Sequence, residues 1–159
     1  MNSIGRTTPN PASARFARGD LAALDALRPE VDALGLFCFT DERPLAGVAG
    51  FVDWRVCGAI SRALEQNIFH GDNDEVMLLP ARGRLAGRRV FLFGLGAKSE
   101  ATADTMVGGC SAALDVMRRA GCRKAAIALP VSPEIPINEE RFLEILTAED
   151  DDIVEKIFV

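Results

Sequence analysis

The sequence predicts a three-layer α/β domain in which a mixed, mostly parallel sheet lies between helices. The main indication is one β-α-β unit from Arg88 to Pro130, in which two apolar runs flank an amphipathic segment. The runs Val90–Phe93 and Ala125–Leu129 are continuously apolar, as strands buried on both faces are. The chain has 159 residues, of which 48% are hydrophobic, and this is enough for the core of one such domain.

The amino-terminal part is expected to contain a helix and a buried strand. Its first residues are polar and include prolines, and they lack the apolar centre of a signal peptide. We interpret residues 1–13 as a disordered lead-in to a single domain over residues 14–159. A short helix is expected over Asp20–Leu27 and should end at Pro29, followed by a buried strand at Leu34–Thr40.

The middle of the chain is expected to form one helix and a strand pair. A turn at Asp41–Pro44 precedes apolar residues at helical spacing, which predict one helix of about four turns from Val48 to Leu64. Glu75–Pro80 reads as a strand, and the polar turn after it would let this strand pair with Val90–Phe93.

The helix of the β-α-β unit has recognisable ends. Ser99 or Thr102 can cap its amino terminus, and Gly121 is a suitable residue just beyond its carboxyl terminus. Gly108 and Gly109 inside the helix each cost ~1 kcal/mol relative to alanine. We expect this cost to be compensated by a close approach of the helix to the sheet.

The carboxyl-terminal segment Glu139–Val159 is acidic, with eight acidic and two basic residues. Asn138 is placed to cap a helix from Glu139 to Leu146, and Ile153–Val159 is a last strand or a short ordered tail. We interpret the acidic residues as a solvated face, with a docking element as the alternative.

Composition excludes several classes of function. The net charge of −5 argues against a broad attraction to nucleic acid or to an anionic membrane. No run approaches the ~20 apolar residues that span a bilayer, and we expect a cytoplasmic protein. His70 is the only histidine, which is poor material for a zinc site or a Ser-His-Asp arrangement, and no cofactor is expected.

The four cysteines lack Cys-x-x-Cys spacing and lie in or near apolar segments. We expect buried or idle thiols in a reducing compartment, with a disulfide or a metal site as the alternatives.

A glycine-containing turn follows the first strand of the β-α-β unit and is a candidate phosphate site. Gly94 and Gly96 could present backbone amides to a phosphate, with Lys98 as the counter-charge. The alternative is that these glycines only turn the chain.

Two further groups of residues have a functional and a structural interpretation. Asp53 and Trp54 could line a surface site, or they could be a helix cap or exposed acid beside a packed indole. A basic cluster could contact an acidic partner or nucleic acid, but we favour a polar hairpin-like turn because the protein as a whole is acidic. Its members are Arg82, Arg84, Arg88 and Arg89.

The order of segments resembles the N-terminal domain of the leucine aminopeptidases, the cytosol aminopeptidase family. The segments are PLAGVAGFVDWRVCGAISRAL, then GDNDEVMLLP, then RRVFLFGLG, followed by the helix and AAIALP. The resemblance covers roughly Phe16 to Pro130. The matching residues are Leu45, Ala46, Gly47, Asp53, Trp54, Gly58, Ala59, Phe69, Gly71, Leu79, Pro80, Phe93, Gly94, Leu95 and Gly96.

This resemblance implies a macro-like α/β domain without peptidase chemistry of its own. In the family, catalysis belongs to a separate carboxyl-terminal domain with two metal ions, held in a segment resembling Asn-Thr-Asp-Ala-Glu-Gly-Arg. That segment does not occur in this sequence. The resemblance therefore implies a non-catalytic module that self-associates or docks on a partner, such as a catalytic aminopeptidase.

The same fold also includes macro domains that bind ADP-ribose. Their glycine-rich loop has a partial counterpart in Gly47 to Gly50 and again in Gly58-Ala59-Ile60, although the glycine triplet is missing. A nucleotide or ADP-ribose binder, or a weak hydrolase of such a ligand, is thus the alternative hypothesis. Aminopeptidase activity itself is the third hypothesis and is not expected.

Overall fold

A computed structural model describes residues 13–16, 31–85, 89–128 and 155–158, together with five single residues. These are Ala22, Asp25, Ile135, Asn138 and Glu140. In chain order the elements are β1 (Ser13–Phe16), β2 (Ala33–Cys38), α1 (Gly47–Arg55), α2 (Ala59–Glu65), β3 (Val76–Pro80), β4 (Arg89–Gly94), a 3-10 turn (Lys98–Glu100), α3 (Ala103–Arg119), β5 (Lys124–Ile127) and β6 (Glu155–Phe158).

The strands form one six-stranded sheet in the order β1-β6-β5-β2-β4-β3. Every neighbouring pair is parallel except β3 and β4, which are antiparallel. The predicted mixed, mostly parallel sheet is therefore confirmed, as is the pairing of the strand before the polar turn with the strand after it. β3 lies at the edge of the sheet.

Side chains of the central strands alternate between two cores, one on each face of the sheet. On one face Leu34 and Leu36 of β2 belong to the same cluster as Val52 of α1 and Ile60 of α2. On the other face the aromatic residues of β2 and β4 pack with the apolar stripe of α3. This second cluster includes Phe37, Phe91, Phe93, Met106, Cys110, Leu114 and Met117. Helices thus cover both faces, which explains why the strands are continuously apolar.

The helix predicted as one unit from Val48 to Leu64 is in fact two helices, and this prediction is wrong. Cys57 and Gly58 both take positive φ, at 57° and 73°, and break the helical path. The Cys57 N–H donates to the Trp54 carbonyl and the Gly58 N–H donates to the Asp53 carbonyl, which is a Schellman ending of α1. A non-glycine residue therefore occupies the left-handed position, where sequence patterns place glycine.

Both ends of α3 follow their sequence signals. Of the two predicted caps, Thr102 is the one used: its hydroxyl accepts from the Thr105 N–H at 3.2 Å, and the Thr105 hydroxyl accepts from the Thr102 N–H at 2.6 Å. At the other end Gly121 has a φ of 77°, and its N–H donates to the Arg118 carbonyl. The Cys122 N–H completes a Schellman motif by donating to the Met117 carbonyl.

The two glycines inside α3 differ in their surroundings. A Cβ on Gly109 would lie 2.5 Å from Cδ2 of Leu95, whereas a Cβ on Gly108 would meet no atom within 4 Å. A close approach is therefore found at Gly109 only, where α3 meets the side chain of Leu95, the residue that follows β4.

The chain ends contain one strand that the sequence did not predict. Ser13 of β1 pairs in register with Glu155 of β6, which lies within the predicted last strand. Residues 1–12 lie outside the described residues, as do most of the predicted helices Asp20–Leu27 and Glu139–Leu146 and most of the acidic segment. Within the described part of the chain, none of the helices combines the length and the apolar character that crossing a membrane requires.

The cysteines are all free thiols. Cys38, Cys110 and Cys122 are buried, and desolvation raises the pKa of Cys38 to about 12 and that of the other two in the same direction. These three match the prediction of buried, idle thiols. Cys57 differs because it is exposed.

Candidate functional site

The carboxyl ends of β2 and β4 lie side by side and form the topological switch point of the sheet. The two strands are parallel neighbours, with Cys38 in register with Gly94. The chain leaves β2 towards α1 on one face and leaves β4 towards α3 on the other. In open α/β sheets such a crevice is where ligands bind, so we first consider the candidate phosphate loop at this place.

The backbone amides of this loop are already used within the protein. The Gly94 N–H donates to the Glu75 carbonyl, the Leu95 N–H to the Cys38 carbonyl, and the Gly96 N–H to the Gly71 carbonyl. Each of these bonds ties the loop to a neighbouring segment. A phosphate cradle needs amides that point at the ligand, and these three point at protein carbonyls.

The charged groups of the loop are also paired within the chain. The Lys98 N–H donates to a carboxylate oxygen of Asp41 at 2.6 Å, and the Ser99 N–H donates to the other at 3.3 Å. The Lys98 ammonium lies 2.8 Å from a carboxylate oxygen of Glu42. The Lys98 N–H lowers the pKa of Asp41, with the Ser99 N–H adding to the effect. Two carboxylates of this chain therefore occupy the place expected for a phosphate.

The sequence predicts only a turn at Asp41–Pro44 and does not indicate that Asp41 and Glu42 bind the loop after β4. The available signal was their position, because two acidic residues follow a buried strand directly and face the loop after a neighbouring parallel strand. The 57 residues that separate Asp41 from Lys98 in sequence hide the pairing from any local pattern.

The glycines of the candidate loops have structural reasons. A Cβ on Gly94 would overlap the backbone oxygen of Asp72, and Gly96 has a φ of 73°. Gly47 and Gly50 are not in a loop, because both belong to the first turns of α1. A Cβ on Gly50 would lie 2.7 Å from the Leu45 carbonyl oxygen.

A loop beside the switch point contains His70 and two acidic residues close enough to suggest a metal site. One ligand atom from each of His70, Asp72 and Glu75 lies within 4.8 Å of the others. Glu75, however, accepts the backbone N–H groups of His70, Gly71 and Asp72 through one carboxylate oxygen. Burial raises the pKa of Glu75, but these hydrogen bonds outweigh it and leave the pKa lowered. The carboxylate thus serves as a loop cap.

Asp53 and Trp54 have opposite environments. Asp53 is only 9% exposed, and its carboxylate accepts the Ile60 N–H at 2.8 Å, the Ser61 N–H at 3.1 Å and the Ser61 hydroxyl. It therefore caps α2 from within α1, which confirms the helix-cap interpretation. Trp54 is 68% exposed, so the expectation of a packed indole is wrong.

An open hollow of about 470 Å³ lies beside Trp54, between α1 and the segment that precedes it. Its lining is mostly apolar or backbone, and it contains the Asp53 cap at one side. The lining residues are Pro44, Leu45, Gly50, Asp53, Trp54, Cys57, Gly58 and Ser61. Several of them carry the resemblance to the aminopeptidase family described above.

The basic cluster predicted from the sequence divides in the structure. Arg89 donates to the Ala120 carbonyl at 2.7 Å and lies over the ring of Phe91. Arg82 and Arg84 instead lie with Arg62 of α2 around a separate cavity. Arg88 is outside the described residues. The hairpin between β3 and β4 confirms the predicted hairpin-like turn.

Residues 33–145 match the model of the cytosol aminopeptidase family, N-terminal domain. The chain belongs to this family. A probable cytosol aminopeptidase of Geobacter sp. (strain M21) is 28% identical over 119 residues, which is 75% of this chain and 24% of that protein. The chain therefore spans about a quarter of the length of that relative.

Solved structures agree on the fold. A mutant of tomato leucine aminopeptidase superimposes with a TM-score of 0.62 at 15% identity, covering 97% of this chain and 33% of that one. A Trypanosoma brucei macrodomain in complex with ADP superimposes with a TM-score of 0.62 at 18% identity, covering 98% of this chain and 69% of that one. These likenesses establish the macro-like fold of this family member.

Proposed function

We propose that this domain is a non-catalytic binding module that associates with a second copy of itself. The observation that supports it is Trp54, which projects from α1 at the rim of the hollow and leaves most of its ring in solvent. Phe51, one turn earlier on α1, is also exposed. Tryptophan anchors surrounded by apolar surface are typical of protein interfaces.

Self-association is favoured because the projecting Trp54 and the hollow lie in the same surface patch. A two-fold interface brings the same surface of both copies together, so each must offer something that fits the other. Here Trp54 could enter the hollow of the partner copy while the partner's own tryptophan enters this one. The Asp53 cap fixes the position of α1 relative to α2 and so holds the hollow in shape.

Light scattering after size-exclusion chromatography tests this proposal. We expect a dimer that dissociates on dilution, and we expect Trp54→Ser to give monomer under the same conditions. Ile68→Ser is the matched control, because Ile68 is nearly as exposed as Trp54 but does not line the hollow. A wild-type monomer at every concentration would overturn self-association.

Docking on a catalytic aminopeptidase is the alternative use of the same surface. The family membership supports it, and a purified catalytic aminopeptidase from the same source is the bait that tests it. If this bait captures the domain and Trp54→Ser abolishes the capture, the surface beside Trp54 binds the catalytic aminopeptidase instead of a second copy. The cytosol aminopeptidase family also supports the predicted location in the cytoplasm.

Nucleotide or ADP-ribose binding is the second candidate function. The macro-like fold supports it, because one structural neighbour was solved in complex with ADP. The ligand would bind at the switch point near Gly94–Lys98 and the first turn of α1, and would have to displace Asp41. Calorimetry with ADP-ribose and ADP, on the wild type and on Asp41→Ala, decides the question. No heat from either protein at millimolar ligand would overturn this function.

Aminopeptidase activity is the third possibility, and we expect none from this domain. The metal-binding segment that the family resemblance implies is not in the sequence. A two-metal hydrolase needs several clustered ligands to hold its ions. An assay with a leucine-linked substrate and added manganese or zinc should show no turnover, and turnover by pure protein would contradict this expectation.

A further inference from the structure

A second cavity lies between the end of β3 and the corner that joins α1 to α2. Its volume is about 270 Å³. Three arginines and several apolar residues line it, and we refer to it as the arginine cavity. The lining residues are Val56, Cys57, Ala59, Arg62, Leu79, Pro80, Ala81, Arg82 and Arg84.

Two of the three guanidinium groups are held in place by the same residue. A guanidinium nitrogen of Arg62 donates to the Cys57 carbonyl at 2.7 Å, and one of Arg84 lies 2.8 Å from the Cys57 sulfur. Because both contacts end on Cys57, the two groups converge on one side of the cavity. Arg82 is positioned by a tight turn, in which it has a φ of 48° and Gly83 a φ of 73°.

The positive charge of the cavity is not neutralised by the described part of the chain. Among the described residues, no carboxylate forms an ion pair with Arg62, Arg82 or Arg84. Other basic residues do have acidic partners, as Lys98 has Glu42 and Arg55 has Asp25. Three like charges around one small volume repel one another, and a bound anion would remove that repulsion.

We propose that the arginine cavity binds a small phosphate-type oxyanion. The ligand would be inorganic phosphate or the phosphate group of a small phosphorylated compound. Guanidinium groups present paired N–H donors that match the oxygens of phosphate, and Arg62 and Arg84 each have further donors beyond the one that contacts Cys57. The volume is smaller than that of pockets for drug-sized ligands, which suits a phosphate with few attached atoms.

Cys57 provides a native probe for this proposal, because it lines the cavity and is the exposed one of the four cysteines. It also lines the hollow beside Trp54, so the reaction is measured on protein diluted to the monomer. Its thiolate can be alkylated by iodoacetate, which is anionic, or by iodoacetamide, which is neutral. In both reactions the sulfur forms a bond to carbon and iodide leaves. The ratio of the two rates reports the positive charge around Cys57, and intrinsic differences in thiol reactivity cancel.

We expect the iodoacetate-to-iodoacetamide ratio to fall several-fold in Arg82→Gln and in Arg84→Gln. Arg119→Gln is the matched control, because Arg119 is exposed on α3 and does not line the cavity, and it should leave the ratio unchanged. Inorganic phosphate should slow alkylation of Cys57 by both reagents in a saturable way. A ratio that is equal in all four proteins would overturn the proposal.

Titration followed by backbone amide NMR measures the affinity directly. Inorganic phosphate and glycerol 3-phosphate should shift the signals of residues 57–62 and 81–85 with saturation, and acetate should bind more weakly. Arg82→Gln and Arg84→Gln should each weaken binding by about tenfold, as expected for loss of a charge-assisted hydrogen bond. Tighter binding of glycerol 3-phosphate would identify a phosphorylated compound as the ligand, and equal binding would identify phosphate itself. Shifts that do not saturate, or that weaken equally in Arg119→Gln, would overturn the proposal.

Discussion

The loop after β4 and the turn after β3 differ in how their polar groups are satisfied. In the loop after β4, Lys98 is paired with Glu42 and the backbone amides donate to protein oxygens. In the turn after β3, Arg82 and Arg84 line a cavity and no described carboxylate is paired with either of them. The loop that carries the glycine motif is thus closed, and the turn without one is open to an anion.

This difference teaches that a glycine motif predicts backbone geometry more reliably than it predicts binding. Gly94 and Gly96 are explained by a close backbone approach and a left-handed φ. Whether a segment binds a ligand depends instead on which of its hydrogen-bond donors and charges are not already used by contacts within the protein. Four predictions test this comparison, and we take them from the largest expected effect to the smallest.

Gly94→Ala should be the most damaging, because its Cβ would overlap the backbone of Asp72 in the closed loop. Backbone atoms cannot move aside as a flexible side chain can, and we expect a loss of about 3 kcal/mol or more of the free energy of unfolding. Urea denaturation measures it. Gly108→Ala is the control, since its Cβ meets open space, and it should stabilise α3 by about 1 kcal/mol. A neutral Gly94→Ala would show that the loop is not closed.

Asp53→Ala should cost about 2 kcal/mol, because it removes a buried acceptor of three hydrogen bonds at the start of α2. It should also loosen the corner that carries Cys57 and Arg62, and so weaken phosphate binding in the arginine cavity. Asp53→Asn keeps one acceptor oxygen and should lose less. If Asp53→Ala bound phosphate as tightly as the wild type, phosphate binding in the arginine cavity would not depend on the corner between α1 and α2.

The sequence predicts well where its signals are local and poorly where they are not. Thr102 and Gly121 fix the ends of α3 through bonds to residues within five positions, so both could be predicted from spacing. The break between α1 and α2 could not, because Cys57 takes a left-handed conformation that cysteine does not signal. The same holds for the arginine cavity, in which Arg62 and Arg84 meet at Cys57 from two distant segments.

Asp41→Ala should open the closed loop without unfolding the domain, because its carboxylate is exposed to solvent and bonds only the start of the 3-10 turn. Hydrogen exchange of the Lys98 amide should become faster. The pKa of Asp41 is lowered below its ordinary value of 3.8, so its stabilising bonds are complete above that pH and are lost as the pH falls through the lowered pKa. The difference between wild type and variant should therefore be constant near neutral pH and disappear in acid. If the difference between wild type and variant persisted in acid, it would not come from the hydrogen bonds of the Asp41 carboxylate.

Arg82→Gln and Arg84→Gln should have the smallest effect on stability, within about 0.5 kcal/mol for exposed positions. The sign of this change in stability distinguishes the protein with phosphate from the protein without it. Without phosphate, removing one of several like charges should leave stability unchanged or slightly raised at low salt, and added salt should remove the gain because it screens the repulsion. With phosphate, the wild type gains stability by mass action, and the variants gain less because they bind phosphate about tenfold more weakly, so the order should reverse. Thermal unfolding with and without phosphate at matched ionic strength measures both the effect of charge repulsion and the stabilisation by phosphate. If phosphate stabilised the variants as much as the wild type, the anion would bind elsewhere, and the turn after β3 would be no more open than the loop after β4.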